Sequence, residues 1–147
     1  MEREKAVVVD ANKLIAAFLK NGLIRRIIVL SGIKLYTIEQ VLEEVNEHKD
    51  ELLVKAGIDE RVYNLILEDI LLPHIAVVEG RWVMDVADEA REISRGFDPD
   101  DWPVIALALK LGVPIWTNDK KIMEASRSTR KFGAITTHEL LEMLVEL

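Results

Sequence analysis

Short apolar runs alternate along this chain with longer stretches whose apolar positions recur every three or four residues. The first run, AVVVD at 6–10, is β-branched and unbroken, the mark of a strand buried on both faces. ANKLIAAFLKNG follows with helical spacing of Leu14, Ile15, Phe18 and Leu19, and Asn21-Gly22 is its C-terminal stop. Residues 23–32 read as a second short helix ending at Gly32, and IKLYT at 33–37 as a strand. Thr37, with Gln40 three residues on, has the form of a capping box that opens a helix from Ile38 to about Lys55, ending near Gly57. Asp59 begins another helix, which ends before Pro73, and HIAVVE at 74–79 is a third strand. Residues 84–96 are helical up to Gly96, and Asp100-Asp101 starts a helix that Gly112 ends. VPIWT at 113–117 is a fourth strand and Asp119 to Ala125 a short helix. RSTRKFG at 127–133 reads as a loop, AITT at 134–137 as a last strand end, and HELLEMLVEL as a closing helix.

Strands alternating with helices predict an α/β fold, a parallel sheet covered on both faces and joined by right-handed crossovers. In such sheets the ligand site lies beyond the carboxyl ends of the strands. Asp10 directly follows the first strand and Asp119 follows the fourth by one residue. An acid of VLEEV at 41–45 and the aspartates at 98, 100 and 101 that precede PVIALA are expected at the same edge. Singly, each has an ordinary explanation: Asp10, Asp101 and Asp119 suit a helix N-terminus, and a helical Glu is usually solvated. Together they form a set of carboxylates that repel one another unless a cation sits among them. With no cysteine and three histidines that have no partner at metal-binding spacing, the ligands are oxygen only, which favours Mg²⁺ or Mn²⁺.

Composition narrows the choice. The 147 residues suffice for one compact domain, and half are hydrophobic, so burial can offset chain entropy. A net charge of −7 argues against nucleic-acid binding by bulk charge, although a cluster of acidic ligands lowers the count by itself. The absence of cysteine excludes disulfides, thiolate zinc sites and cysteine nucleophiles. The five-residue apolar run near the start is too short for a signal-peptide core or a membrane span, which predicts a cytoplasmic protein. A single glutamine and 31% charged residues match many heat-adapted proteins. Trp82, Trp102 and Trp116 read as core or half-buried packing, and Trp102, beside Asp101, could also line a base-stacking surface.

These segments resemble the PIN-domain nucleases over nearly the whole chain. VVVDANKL is similar to the family's first motif, VLEEV to its second, DWPVIALALKLGVPIWTND to its third, and Thr117 with Asp119 to its fourth. The resemblance implies a PIN-like α/β/α sandwich comprising one domain over residues 1–147. It assigns metal-ligand and catalytic roles to Asp10, Glu44, Asp101 and Asp119, with Asp98 and Asp100 as competing carboxylates for the third position. It further implies an Mg²⁺- or Mn²⁺-dependent ribonuclease, an endonuclease rather than an exonuclease, similar to the VapC-type toxins. An antitoxin protein and a homodimer would go with that assignment.

A bound metal lowers the pKa of water and offsets charge growing on the phosphate. Asn12 and Thr117 are candidates to orient water, a carboxylate or the substrate, and Lys13, Lys120, Arg127, Arg130 and Lys131 to contact the RNA backbone. Two rivals stand beside this reading. One is a PIN-like module that binds RNA or a protein without cutting. The other is an aspartyl-phosphate phosphotransferase, which usually has a second Asp two residues after the first, where this chain has Asn12.

Overall fold

The computed structural model describes residues 5–19 and 22–145. Asn21, expected within the stop of the first helix, lies outside the described residues, as do the last two residues of the closing helix. Five parallel strands form one sheet in the order β3-β2-β1-β4-β5. They are β1 (Ala6–Val9), β2 (Lys34–Ile38), β3 (Ile75–Val78), β4 (Ile115–Trp116) and β5 (Ala134–Ile135). Val7, Val8 and Val9 have no solvent exposure, so the central strand is covered on both faces as its β-branched run predicts. The order runs outward from β1 in both directions, which puts a topological switch point between β1 and β4. Crossovers on the two sides of such a point leave on opposite faces and open a crevice at the strands' carboxyl ends. The architecture is the PIN-like α/β/α sandwich.

The helices are α1 (Ala11–Ala16), α2 (Leu23–Leu30), α3 (Glu39–Glu47), α4 (Lys49–Ala56), α5 (Glu60–Asn64), α6 (Ala87–Ser94), α7 (Trp102–Leu111), α8 (Lys120–Thr129) and α9 (Thr137–Val145). α7 is apolar nearly all round because Pro103 through Ala108 are all buried, against β1, β2 and β4 among others.

Four local expectations are corrected. The helix expected from Ile38 to Lys55 is two, broken at His48, whose backbone leaves the helical region at φ −93° and ψ 6°. Thr37 does not cap it. Its hydroxyl donates to the Val9 carbonyl at 2.9 Å, binding β2 to β1, and Ile38 takes the cap position without a side-chain bond. The Gln40 half of that box is therefore absent too. A reciprocal capping box instead opens α9: Thr136 Oγ1 accepts from the Glu139 N–H and Glu139 Oε1 from the Thr136 N–H, each at 3.1 Å. The supposed loop at 127–133 is helical as far as Thr129, and the Ser126 and Thr129 hydroxyls are accommodated within it by donating to the carbonyls of Met123 and Ala125. Finally, the helix after Asp59 changes to π-helical winding over Leu65–Leu71, and a 3₁₀ segment over Gly80–Val86 precedes α6.

Candidate active site

Asp10 leaves the end of β1 in extended conformation and caps α1, its Oδ1 accepting the Lys13 N–H at 3.0 Å. Asp119 leaves β4 and caps α8, with Oδ1 accepting from the N–H groups of Lys121 at 2.8 Å and Ile122 at 3.4 Å. Capping and a place in the site coexist at both positions, since each carboxylate has a second oxygen. The other two acids do not stand at strand–helix junctions, as had been expected. Glu44 lies in the second turn of α3, and Asp101 ends the 3₁₀ turn Pro99–Asp101 that leads into α7. The cap of that turn is Asp98, whose Oδ1 accepts the Asp100 N–H at 3.0 Å, whereas Asp101 makes no side-chain cap bond. Of the three competing carboxylates, only Asp98 has a capping duty.

All four acids line one hollow of about 410 Å³ at the carboxyl edge of the sheet. Glu43, Glu47, Asp98 and Asp100 join them there with Asn12 and Gln40, and no Lys or Arg is in the lining. The electrostatics follow from this convergence. Asp101 is pushed up to about 7, first by burial and then by the charges of Asp98, Asp119, Glu44 and Asp10. Burial raises Asp10 as well, opposed by the Thr117 hydroxyl and by the backbone N–H and charge of Lys13, while Asp119 pushes it up. Glu44 is raised by burial and by Asp10, Asp98 and Glu47, against the pull of His48.

The remaining expected residues divide. Asn12 is exposed and faces the hollow. Thr117 is fully buried; its hydroxyl accepts the Asp119 N–H at 3.0 Å and meets Asp10. It bonds to both aspartates, which fits the expected role of orienting a carboxylate, and being fully buried it does not face a substrate. Lys13 is corrected: it is 5% exposed and donates to Thr137 Oγ1 at 3.1 Å, so it cannot lie along an RNA backbone. Lys120, Arg127 and Arg130 are exposed on or beside α8 but outside the hollow's lining, and Lys131 pairs with Glu89 at 3.2 Å. Sequence reasoning missed Gln40, whose Oε1 is buried at the hollow without a hydrogen-bond partner. Of the three aspartates that suit a helix start, Asp98 is the one that caps, ahead of Pro99 at the first helical position.

The donor set fits a hard divalent cation. It is all oxygen, and burial first, with neighbouring carboxylates adding to it, pushes Asp10, Glu44 and Asp101 up. Among the described residues no three acidic or histidine side chains stand close enough together to grip an ion. The expectation of a ready-made cluster is corrected to that of carboxylates sharing one hollow.

Asp119 offers a direct separation of cap from site. Asp119→Asn keeps an acceptor for the α8 N–H groups and should melt close to wild type, whereas Asp119→Ala should cost about 1 kcal/mol. Both should lose activity alike; a fully active Asp119→Asn variant would reduce Asp119 to its cap.

A doubly wound parallel sheet with carboxylates gathered at its switch point defines a class of metal-using α/β proteins. A family model described as the PIN domain matches residues 8–140, and the chain belongs to that family. Its members are in general nucleases that use divalent metals. The crystal structure of PAE2754 from Pyrobaculum aerophilum is similar in fold, with a TM-score of 0.66 and 20% identity over 98% of this chain and 92% of that one. Comparison with curated proteins finds no match. No helix among the described residues is long and apolar enough to cross a membrane.

Proposed function

We propose that this protein is a metal-dependent endoribonuclease for single-stranded RNA, of the kind found in VapC-type toxins. The observation that carries the reading is Asp101, held half-buried among four other carboxylates with its pKa near 7. An uncapped acid in that position raises the energy of the metal-free protein, and a divalent cation relieves it. Asp10, Glu44, Asp101 and Asp119 would hold Mg²⁺ or Mn²⁺. When bound, such an ion lowers the pKa of a coordinated water and offsets charge developing on the phosphate.

The chain's own residues do the rest. Thr117 fixes Asp10 and Asp119 relative to each other, and Asn12 presents an amide to water or substrate at the mouth of the hollow. Lys120, Arg127 and Arg130 would attract the strand from the side of α8. The metal preference follows from the all-oxygen donors. The antitoxin partner and homodimer rest on the family resemblance.

A covalently closed single-stranded RNA, incubated with the protein and Mn²⁺ or Mg²⁺, tests the reading. Cleavage of the circle is expected, with loss in EDTA and in Asp10→Asn protein. Cleavage of linear RNA only would make the enzyme an exonuclease. Binding without any cleavage would favour the non-cutting module, and undiminished cleavage in EDTA would place the activity elsewhere.

A further inference from the structure

The acidic hollow has a basic neighbour. A second recess opens between α6 and the start of α7, lined by Arg91, Ser94, Arg95, Pro99, Asp100 and Trp102. Asp100 belongs to the walls of both recesses, so they adjoin. Arg91, on α6, and Arg95, its C-cap, are one helical turn apart and line the same recess. The Arg91 guanidinium lies over the Trp102 ring, 4.3 Å from its centroid. An arginine stacked in this way keeps its N–H edge free and pre-oriented, which suits a tetrahedral anion. Its ion pairs are weak competitors. Arg91 lies 3.8 Å from a fully exposed Asp88, and Arg95 pairs with Glu92 at 2.8 Å with both side chains mostly in solvent.

RNA approaching this site faces a difficulty. The protein carries a net charge of −7, and the hollow is walled by carboxylates alone among ionisable groups. A phosphate backbone must find its cations at the rim. We propose that Arg91 and Arg95 form a phosphate clamp for the RNA strand where it enters the acidic hollow, with Trp102 as the positioning residue that holds Arg91 in line. The clamp rests on the ribonuclease reading above. It assigns these two arginines a share in binding the strand and none in the bond-breaking step.

The test is the double variant Arg91→Gln/Arg95→Gln, assayed for cleavage of a linear single-stranded RNA with Mg²⁺ over a series of salt concentrations. Anisotropy of a labelled oligonucleotide, also with Mg²⁺, reads binding whether or not the strand is cut. KM and Kd should rise by roughly tenfold or more, kcat should change little, and the slope of log affinity against log salt should flatten by about 1.4 for two lost contacts on a single strand. Trp102→Leu should raise KM in the same way and add little in the Arg91→Gln background, whereas Trp102→Phe, which keeps a ring under the guanidinium, should restore most of the affinity. Cleavage by the wild type with KM and salt slope unmoved in the double variant overturns the clamp alone. Binding with this slope but no cleavage overturns the nuclease reading and leaves the clamp. A wild type that binds no RNA overturns both.

Discussion

Asp101→Asn should reduce cleavage by at least about a hundredfold, and the same variant should melt higher than the wild type in EDTA at pH 8. Removing a partner that merely orients a metal ligand costs up to about 100-fold, and a ligand counts for more. The stability gain follows from charge. Asp101 has its pKa pushed up to about 7, with burial the largest cause and four neighbouring carboxylates adding to it. The folded protein therefore holds a proton on Asp101 over a range where the unfolded chain has released it. Between about pH 4 and pH 7 the native state binds more protons than the unfolded state, so metal-free stability falls as pH rises through that window. Asp10 and Glu44, also raised, act in the same direction. Because Asp101 is only half-buried, solvent screening leaves about 1–2 kcal/mol of the full shift, or roughly 5 °C of melting temperature for a domain of this size. Asparagine carries no charge to repel, so its advantage should be present at pH 8 and vanish near pH 4. Mn²⁺ should raise the melting temperature of the wild type more than that of the variant. Melts across pH with and without Mn²⁺, beside an RNA cleavage assay, decide the matter. A variant that cleaves at the wild-type rate, or that melts below wild type in EDTA at pH 8, would remove Asp101 from the site.

The sequence made the two strand-end acids legible and left the others dependent on the family resemblance. Asp10 and Asp119 could be placed because a buried β-branched strand is a local pattern, and the switch-point rule then puts its carboxyl end at the ligand edge. Glu43 and Glu44 look alike locally and both line the hollow; what separates Glu44 is its burial and the charges of Asp10 and Asp98 beside it. Three aspartates precede α7; a hydrogen bond from the Asp100 backbone occupies Asp98, and burial among four other carboxylates marks Asp101, neither of which is a local pattern. The break at His48 involves neither glycine nor proline, and the helical apolar spacing continues through it. The extension of α8 to Thr129 was hidden by hydroxyl residues that read as loop composition but here donate to carbonyls of their own helix. Lys13 was assigned to the surface by residue type, because a lysine is seldom buried without partners. Its partners come from Asp10 in its own turn, Trp116 in β4 and Thr137 in α9, which the chain brings together only on folding.

That last group carries the largest expected effect on stability. Trp116 has no solvent exposure, and its Nε1 donates to Thr137 Oγ1 at 3.0 Å. The same oxygen accepts from Lys13 Nζ, which lies 5.7 Å from the centre of the indole ring. One side chain thus fills the core beneath β4, ties α9 to the sheet and provides an aromatic face for a buried cation. Trp116→Ala should cost about 3–5 kcal/mol through lost burial and the cavity left behind, lowering the melting temperature by roughly 10 °C. Trp116→Phe keeps most of the volume and loses the N–H donor, so its cost should be nearer 1 kcal/mol. The effect should reach the site as well, because the next residue, Thr117, orients both Asp119 and Asp10. In conditions where Trp116→Ala remains folded, cleavage should fall more than for Trp116→Phe. Thermal melts of the three proteins, with cleavage measured well below the lowest transition, check both steps. Equal melting of wild type and Trp116→Ala would show that the indole carries no packing energy, and unchanged cleavage in a destabilised Trp116→Ala would show that β4 holds Thr117 in place without it.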